Sequence, residues 1–463
     1  MDEEALRMTL KEAVAGRQED LLQSLRESVQ IPSVHGPAAD GCPYGTEVRR
    51  CLNHALETAA KLGLSCTDMD HQIGWCEYGE GDEMVAVLGH LDVVPAGEGW
   101  SFDPFGGDIR DGKIFGRGTM DDKGPTLAAL YAMAAIRDAG LPLRRRIRLL
   151  FGTNEETGSQ DMKYYRAHGG ELPVMGFTPD GEYPVINGEK GLVNVTFRKS
   201  YTQSGPVRLI RLSGGSAPNV VPASASAQLV CSPELAARLA AASTETVHCT
   251  IVEGGVVIEA LGVSAHGSTP EQGTNAIGLL MGFLKDIPLS DDVAEAVRFL
   301  AEKIGLETDG SSLGIVLRDE ISGSLTLNLG TIEGDEASLM LRINYRYPVT
   351  KRLEDCGPIL EKAFMDAGFQ LTEQTHKASL YIPEESELVR TLLDVYARET
   401  GLPAEPKSIG GGTYAKSFPN TVAFGPIFPG DEVREHKPDE FIEIDKLMKN
   451  AQIIAEAMYQ LAK

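Results

Sequence analysis

The chain is short of the residues that build cross-links. It has seven cysteines in 463 residues (Cys42, Cys51, Cys66, Cys76, Cys231, Cys249 and Cys356), odd in number, irregularly spaced and without a CxxC pair. This argues against a disulfide framework and against a thiolate zinc site. Nor is there an apolar run near the ~20 residues that a membrane-spanning helix needs. Basic residues are outnumbered: 43 Lys and Arg stand against 67 Asp and Glu, for a formal net charge of -24. Such a balance argues against nucleic acid and anionic membrane as partners. The opening stretch, MDEEALRMTLKEAV, is acidic and amphipathic and lacks the pattern of a secretory signal, so a cytoplasmic protein is expected.

What is present describes a globular protein, with 42% hydrophobic and 24% charged residues. A chain of 463 residues exceeds one ordinary core, so two or three domains are expected. Residues 3–30 read as one amphipathic helix and 44–62 as a second. Buried strands follow at Met84–Leu88, Arg145–Phe151 and Val174–Phe177. They alternate with a helix of small apolar residues, Thr126–Ala139, and a helix near Ser159–Arg166. This rhythm predicts an α/β fold with a mixed, mostly parallel sheet flanked by helices. After Lys190 the texture turns to half-exposed antiparallel strands with helices near 272–285 and 355–367, an α+β insertion of two sheet-and-helix units. The first texture returns with helix 385–400, strand Thr421–Phe424 and helix 442–461. The expected domains are therefore 1–188 and 384–463, together a catalytic domain, with an inserted lid at 189–383.

The residues with metal chemistry cluster at strand ends. His90 and Asp92 follow the strand Met84–Leu88, and Glu155 and Glu156 follow Arg145–Phe151. Asp180 follows Val174–Phe177, and His436 lies beyond Thr421–Phe424. Asp121 and Asp122 precede the small-residue helix. Open α/β sheets form sites beyond the carboxyl ends of their strands, so these segments converge on one edge. Imidazole and carboxylate together suit two divalent ions, zinc first, with manganese or cobalt as alternatives. Glu155 and Glu156 are neighbours, so one can bind metal while the other acts as general base. Asp92, two residues after His90, is placed to hold the ring of a metal-bound histidine. The glycine-rich stretch 408–413 lacks a Walker lysine and reads as a close backbone approach to substrate.

Six motifs in order, GHLDVVPAGEGW, GRGTMDDKGP, FGTNEETGS, TPDGEYP, SAHGSTPEQGTNA and REHKPDE, resemble the di-zinc metallopeptidases of clan MH, which include carnosinase, carboxypeptidase G and aminoacylase. Above all the chain resembles the bacterial peptidase V type of dipeptidase. The resemblance implies a zinc-peptidase core, with His90 and Asp180 on one metal, Glu156 and His436 on the other, and Asp121 between them. It also implies a cis peptide between Asp121 and Asp122, Asp92 as the orienter of His90, Glu155 as the base and His266 as the stabiliser of the oxyanion. Arg346, Asn219, Gly411, Gly412 and Thr413 are the implied substrate contacts. Arg346 would pair with a substrate carboxylate, and the glycines and Thr413 would offer main-chain N–H groups.

The expected function is hydrolysis of dipeptides with a free N-terminus, by a monomer whose long insertion supplies His266 from its own chain. The partner is then a small peptide. Deacylation of an N-acyl amino acid such as succinyl-diaminopimelate is the rival enzymatic reading. A metal-dependent binding protein that has lost catalysis is the rival of another class.

Overall fold

A computed structural model describes residues 3–463; Met1 and Asp2, which open the expected 1–188 segment, lie outside the described residues. The chain divides into two compact units. One comprises residues 1–187, 382–407 and 413–463, the other 188–381 and 408–412. The five residues Ser408–Gly412 thus group with the inserted segment.

In the first unit, strands Met84–His90 and Arg146–Gly152 are almost wholly buried, the first apolar up to its closing histidine, as parallel strands covered on both faces require. The first six strands of its nine-stranded sheet run in the order 65–69, 73–78, 146–152, 84–90, 175–178, 421–423. The last four of these strands are mutually parallel, and the first two are added antiparallel at one side. Parallel pairing sends the carboxyl ends of all four to a single edge.

Helix Lys123–Asp138 is buried at every position from Lys123 to Ile136. Its alanines and glycine permit close packing, and the contact with the sheet is tight. A Cβ at Gly89 would lie 2.0 Å from Thr126 Oγ1, so glycine is what lets the histidine-bearing strand meet this helix. Helix Ile444–Ala462 packs against it and continues the same core. Residues 3–30 do not form one helix. They form Glu3–Ala15 and Gln18–Val29, parted at Gly16–Arg17, where Arg17 N–H turns back to Val14 O in a tightened last turn. The break falls between two turns of one continuous apolar pattern, so periodicity alone does not reveal it.

The second unit holds an eight-stranded antiparallel sheet in the order 247–252, 255–261, 224–230, 208–214, 326–334, 338–347, 191–200, 370–377. The expected sheet-and-helix units are its two four-stranded halves. They join through a seam of three residue pairs, Leu212–Gly334, Ser213–Glu333 and Gly214–Ile332, so the sheet is continuous. Helices Pro233–Ala241, Ala276–Leu284 and Gly357–Asp366 pack on it over an apolar cluster that includes Val193, Phe197, Ile258, Leu341 and Phe364. No helix among the described residues is long and apolar enough to cross a membrane.

Candidate metal centre

The carboxyl edge of the four parallel strands gathers the residues expected there. His90 is the last residue of its strand and is 1% exposed. Its Nε2 lies 3.0 Å from Asp121 Oδ1 and 3.8 Å from Asp180 Oδ2. His436 Nε2 lies 3.0 Å from Asp121 Oδ2 and 3.2 Å from Glu156 Oε1. The two oxygens of Asp121 therefore face two different imidazoles. One ligand atom from each of His90, Asp121 and Glu156 falls within 4.8 Å of the others. The Asp121–Asp122 peptide bond is cis.

Several observations fit divalent cations to this set. His90 Nδ1 donates to the main-chain oxygen of Asp92 at 2.9 Å. A carbonyl only accepts, so the proton sits on Nδ1 and the Nε2 lone pair is presented to the carboxylates. That Nε2 is buried and makes no hydrogen bond. Burial opposes charge on the ring, yet Asp121 and Asp92 drive the His90 pKa well above its ordinary value. A field that favours a proton on this nitrogen favours a metal cation there too. Among the carboxylates, burial pushes Asp180 well up, and the charge of Asp121 adds to it. Burial likewise raises Glu156. Asp121 is held low: burial works against it, but the imidazoles of His436 and His90 beside it prevail. Crowded acids of this kind are what a bound cation relieves.

Asp92 meets the His90 ring chiefly through its main chain. Its carboxylate oxygen is 3.6 Å from His90 Nδ1, and its main-chain oxygen holds the ring instead. The fully buried carboxylate accepts the N–H of Glu155 on one oxygen and of Glu156 on the other, each at 3.1 Å. Two main-chain donors from the turn at Glu155 and Glu156 satisfy a buried carboxylate better than one imidazole, and the Asp92 carbonyl comes back onto the His90 ring.

Two further buried acids, Glu440 and Asp122, support the centre. Glu440, fully buried, accepts the N–H groups of Gly118, Met120 and Asp121 at 2.9–3.2 Å and pairs with Arg117 Nη1 at 2.6 Å. It ties the Asp121 loop to the segment that carries His436. Asp122 Oδ2 accepts from His90 N–H at 3.1 Å and from Thr126 Oγ1 at 2.9 Å. Both acids lie inside the sequence motifs; Asp122 has one partner a single helical turn away, whereas Glu440 meets its partners across 319–323 residues, so no spacing reveals them.

In the second unit, Asn219, His266, Gly410 and Arg346 form a chain of neighbours. Val220 bridges to His266, and Gly267 N–H donates to Asn219 O at 2.7 Å, which places Asn219 beside His266. His266 Nδ1 is 2.6 Å from Ser268 Oγ. A Cβ on Gly410 would come within 2.7 Å of the Ser268 Cβ, so glycine there permits the contact. Arg346 Nη1 donates to Gly410 O at 2.6 Å and Nε to Asn344 Oδ1 at 3.1 Å. Arg346 is 2% exposed, and burial lowers its pKa to about 10. Gly411 and Gly412 follow in the same loop. Thr413 groups with the first unit and caps Tyr414–Ser417, its Oγ1 accepting Ala415 N–H at 3.1 Å.

Residues 86–460 match the model of peptidase family M20/M25/M40. The chain belongs to that family. Relatives agree: the chain is 38% identical to the protein named "Putative dipeptidase YtjP" from Bacillus subtilis (strain 168), over 97% of this chain and 99% of that one. In fold it is similar to the dipeptidase Dug1p from Saccharomyces cerevisiae, with TM-score 0.61 and 13% identity over 98% of each chain. It is similar also to human carnosine dipeptidase 1, with TM-score 0.56 and 17% identity over 98% of this chain and 99% of that one. As a member of the family the chain is a metallopeptidase.

Proposed function

We propose that this metallopeptidase is a two-metal dipeptidase that hydrolyses dipeptides with a free N-terminus, the first unit acting as catalytic domain and the second as lid. The observation that carries the reading is Asp121, whose two oxygens each stand 3.0 Å from a different histidine, as a carboxylate shared by two cations would. The relatives named as dipeptidases support the substrate class. His90 and Asp180 would hold one ion, Glu156 and His436 the other, and zinc fits the donor set, with manganese or cobalt as alternatives. When bound, such a pair supplies Lewis acidity to the scissile carbonyl and the attacking water. Glu155 takes the proton of that water and delivers it to the leaving amine. His266 donates to the carbonyl oxygen as negative charge develops there. Arg346, buried with its Nε and Nη1 on the neutral oxygens of Asn344 and Gly410, is suited to pair with a substrate carboxylate. Asn219, Gly411, Gly412 and Thr413 complete the proposed substrate contacts, in a cytoplasmic monomer.

The deciding measurement is turnover of Ala-Ala, β-Ala-His and N-succinyl-diaminopimelate after loading with zinc, manganese or cobalt. The dipeptides should be cleaved, and Glu155→Ala should lose at least ~100-fold in kcat while still binding metal. Preference for the succinylated substrate, or full activity of Glu155→Ala, overturns the reading.

A further inference from the structure

Beyond the ligands, the loop that carries the two glutamates has an unusual support. Thr153, Asn154, Glu155 and Glu156 present four consecutive main-chain N–H groups, and two fully buried carboxylates accept all of them. Asp92 takes the second pair. Asp161 Oδ2 takes the first, at 2.7 Å from Thr153 N and 3.2 Å from Asn154 N. The same oxygen accepts the hydroxyl of Tyr414 at 2.5 Å. Tyr414 is itself fully buried. Its ring stands edge-on to the His90 imidazole, with centroids 6.0 Å apart and planes at 89°. Its hydroxyl end fills the space beside Gly152, where a Cβ would sit 2.3 Å from the phenol oxygen. One buried side chain thus touches the ring of a proposed ligand and, through Asp161, the start of the glutamate loop.

An ordinary structural reading of Asp161 exists. It lies in the first turn of helix Gln160–Ala167, where an acid is favourable, and its Oδ1 accepts Met162 N–H at 2.7 Å. That leaves Oδ2 and its three donors unexplained. A helix cap needs no tyrosine against a histidine ring and no contact with a loop eight residues upstream.

We infer that Asp161 and Tyr414 are positioning residues that fix where Glu155 and Glu156 leave the chain relative to His90. The inference rests on the two-metal reading. Adjacent residues send their carboxylates in different directions, so a small rotation of the Asn154–Glu155 peptide displaces both at once. A displacement near 1 Å at reacting groups is worth ~100-fold in rate.

The test uses Tyr414→Phe and Asp161→Asn in the full chain, with cobalt(II) titrated against a chelating indicator. Wild type should bind two ions. Tyr414→Phe, which keeps the ring against His90, should weaken one of them by ~10–100-fold and leave the other within about twofold. Its kcat on a cleaved dipeptide should fall ~10-fold or more, with KM within about twofold. In a Glu156→Gln background, adding Tyr414→Phe should weaken cobalt no further, because the ligand it positions is already gone. The inference fails if both variants keep kcat and both affinities within about twofold. It fails equally if both affinities drop together with the melting temperature of the metal-free protein, the mark of a purely structural role. Wild type binding a single ion would instead sink the two-metal reading, and the kcat-against-KM split with the Glu156→Gln background would still judge Asp161 and Tyr414.

Discussion

The Asp92 carboxylate accepts two main-chain N–H groups of the glutamate loop, and the Asp92 carbonyl holds His90 Nδ1. The two tasks fall to different atoms of one residue, so substitution separates them. Asp92→Asn keeps the carbonyl but sets an amide NH₂ against one of the loop N–H groups. The expected outcome is a kcat lowered by ~10–100-fold with the His90 tautomer unchanged, read from nitrogen–proton correlation spectra of labelled histidine. A switch of tautomer would show that the carboxylate is the ring holder after all. His90, Asp121, Glu155, Glu156, Asp180 and His436 were legible in the sequence because the chemistry of each is written in its side chain and each falls next to a recognisable strand or helix. Asp161, Tyr414, Arg117 and Glu440 were not. Tyr414 meets Asp161 across 253 residues and Arg117 meets Glu440 across 323, and neither pair has a local pattern to betray it.

At the scale of elements, Glu440 joins the Asp121 loop to strand Phe441–Glu443, and the ion pair it forms with Arg117 is sealed from solvent. Glu440→Ala leaves a buried guanidinium without its partner, and ~3–5 kcal/mol of stability should be lost in urea unfolding. Replacing Arg117 by Met in the same chain should restore little, because Gly118, Met120 and Asp121 N–H still lack an acceptor. A second set of contacts joins helices Glu387–Thr400 and Ile444–Ala462, where Arg398 reaches Glu456 at 2.8 Å and Lys449 reaches Glu399 at 2.6 Å. Burial raises the Glu456 pKa to about 7; Arg398 opposes the shift and Glu399 adds to it. Between its unfolded value near 4.5 and about 7, the unfolded chain releases this proton while the folded chain keeps it. Glu456 therefore costs stability progressively as pH rises through that window, and the cost is constant above it. Glu399 runs the other way: burial would raise it, but Lys449 holds it below its ordinary value. Glu456→Gln removes the first contribution, so its melting temperature relative to wild type should climb from pH 5 to pH 7.5. A flat difference across that range would refute the assignment.

For the whole molecule, the proposed monomer makes a sharp prediction. Mixing Glu155→Ala with His266→Ala should restore no activity, because each site would draw both residues from one chain. Recovery on mixing, with a mass in light scattering of twice the chain, would show that subunits share the site. The sequence alone determined the fold class, the strand-end placement of the metal-type residues and the family, since periodicity, turn residues and side-chain chemistry are local properties. Only the tertiary structure decided which atom of Asp92 holds His90, which buried acids clamp the loops, that Ser408–Gly412 groups with the inserted segment and that the eight strands form one sheet. Those outcomes depend on hydrogen bonds and close contacts between segments far apart in the chain, and burial selects them only once the strands and helices have packed.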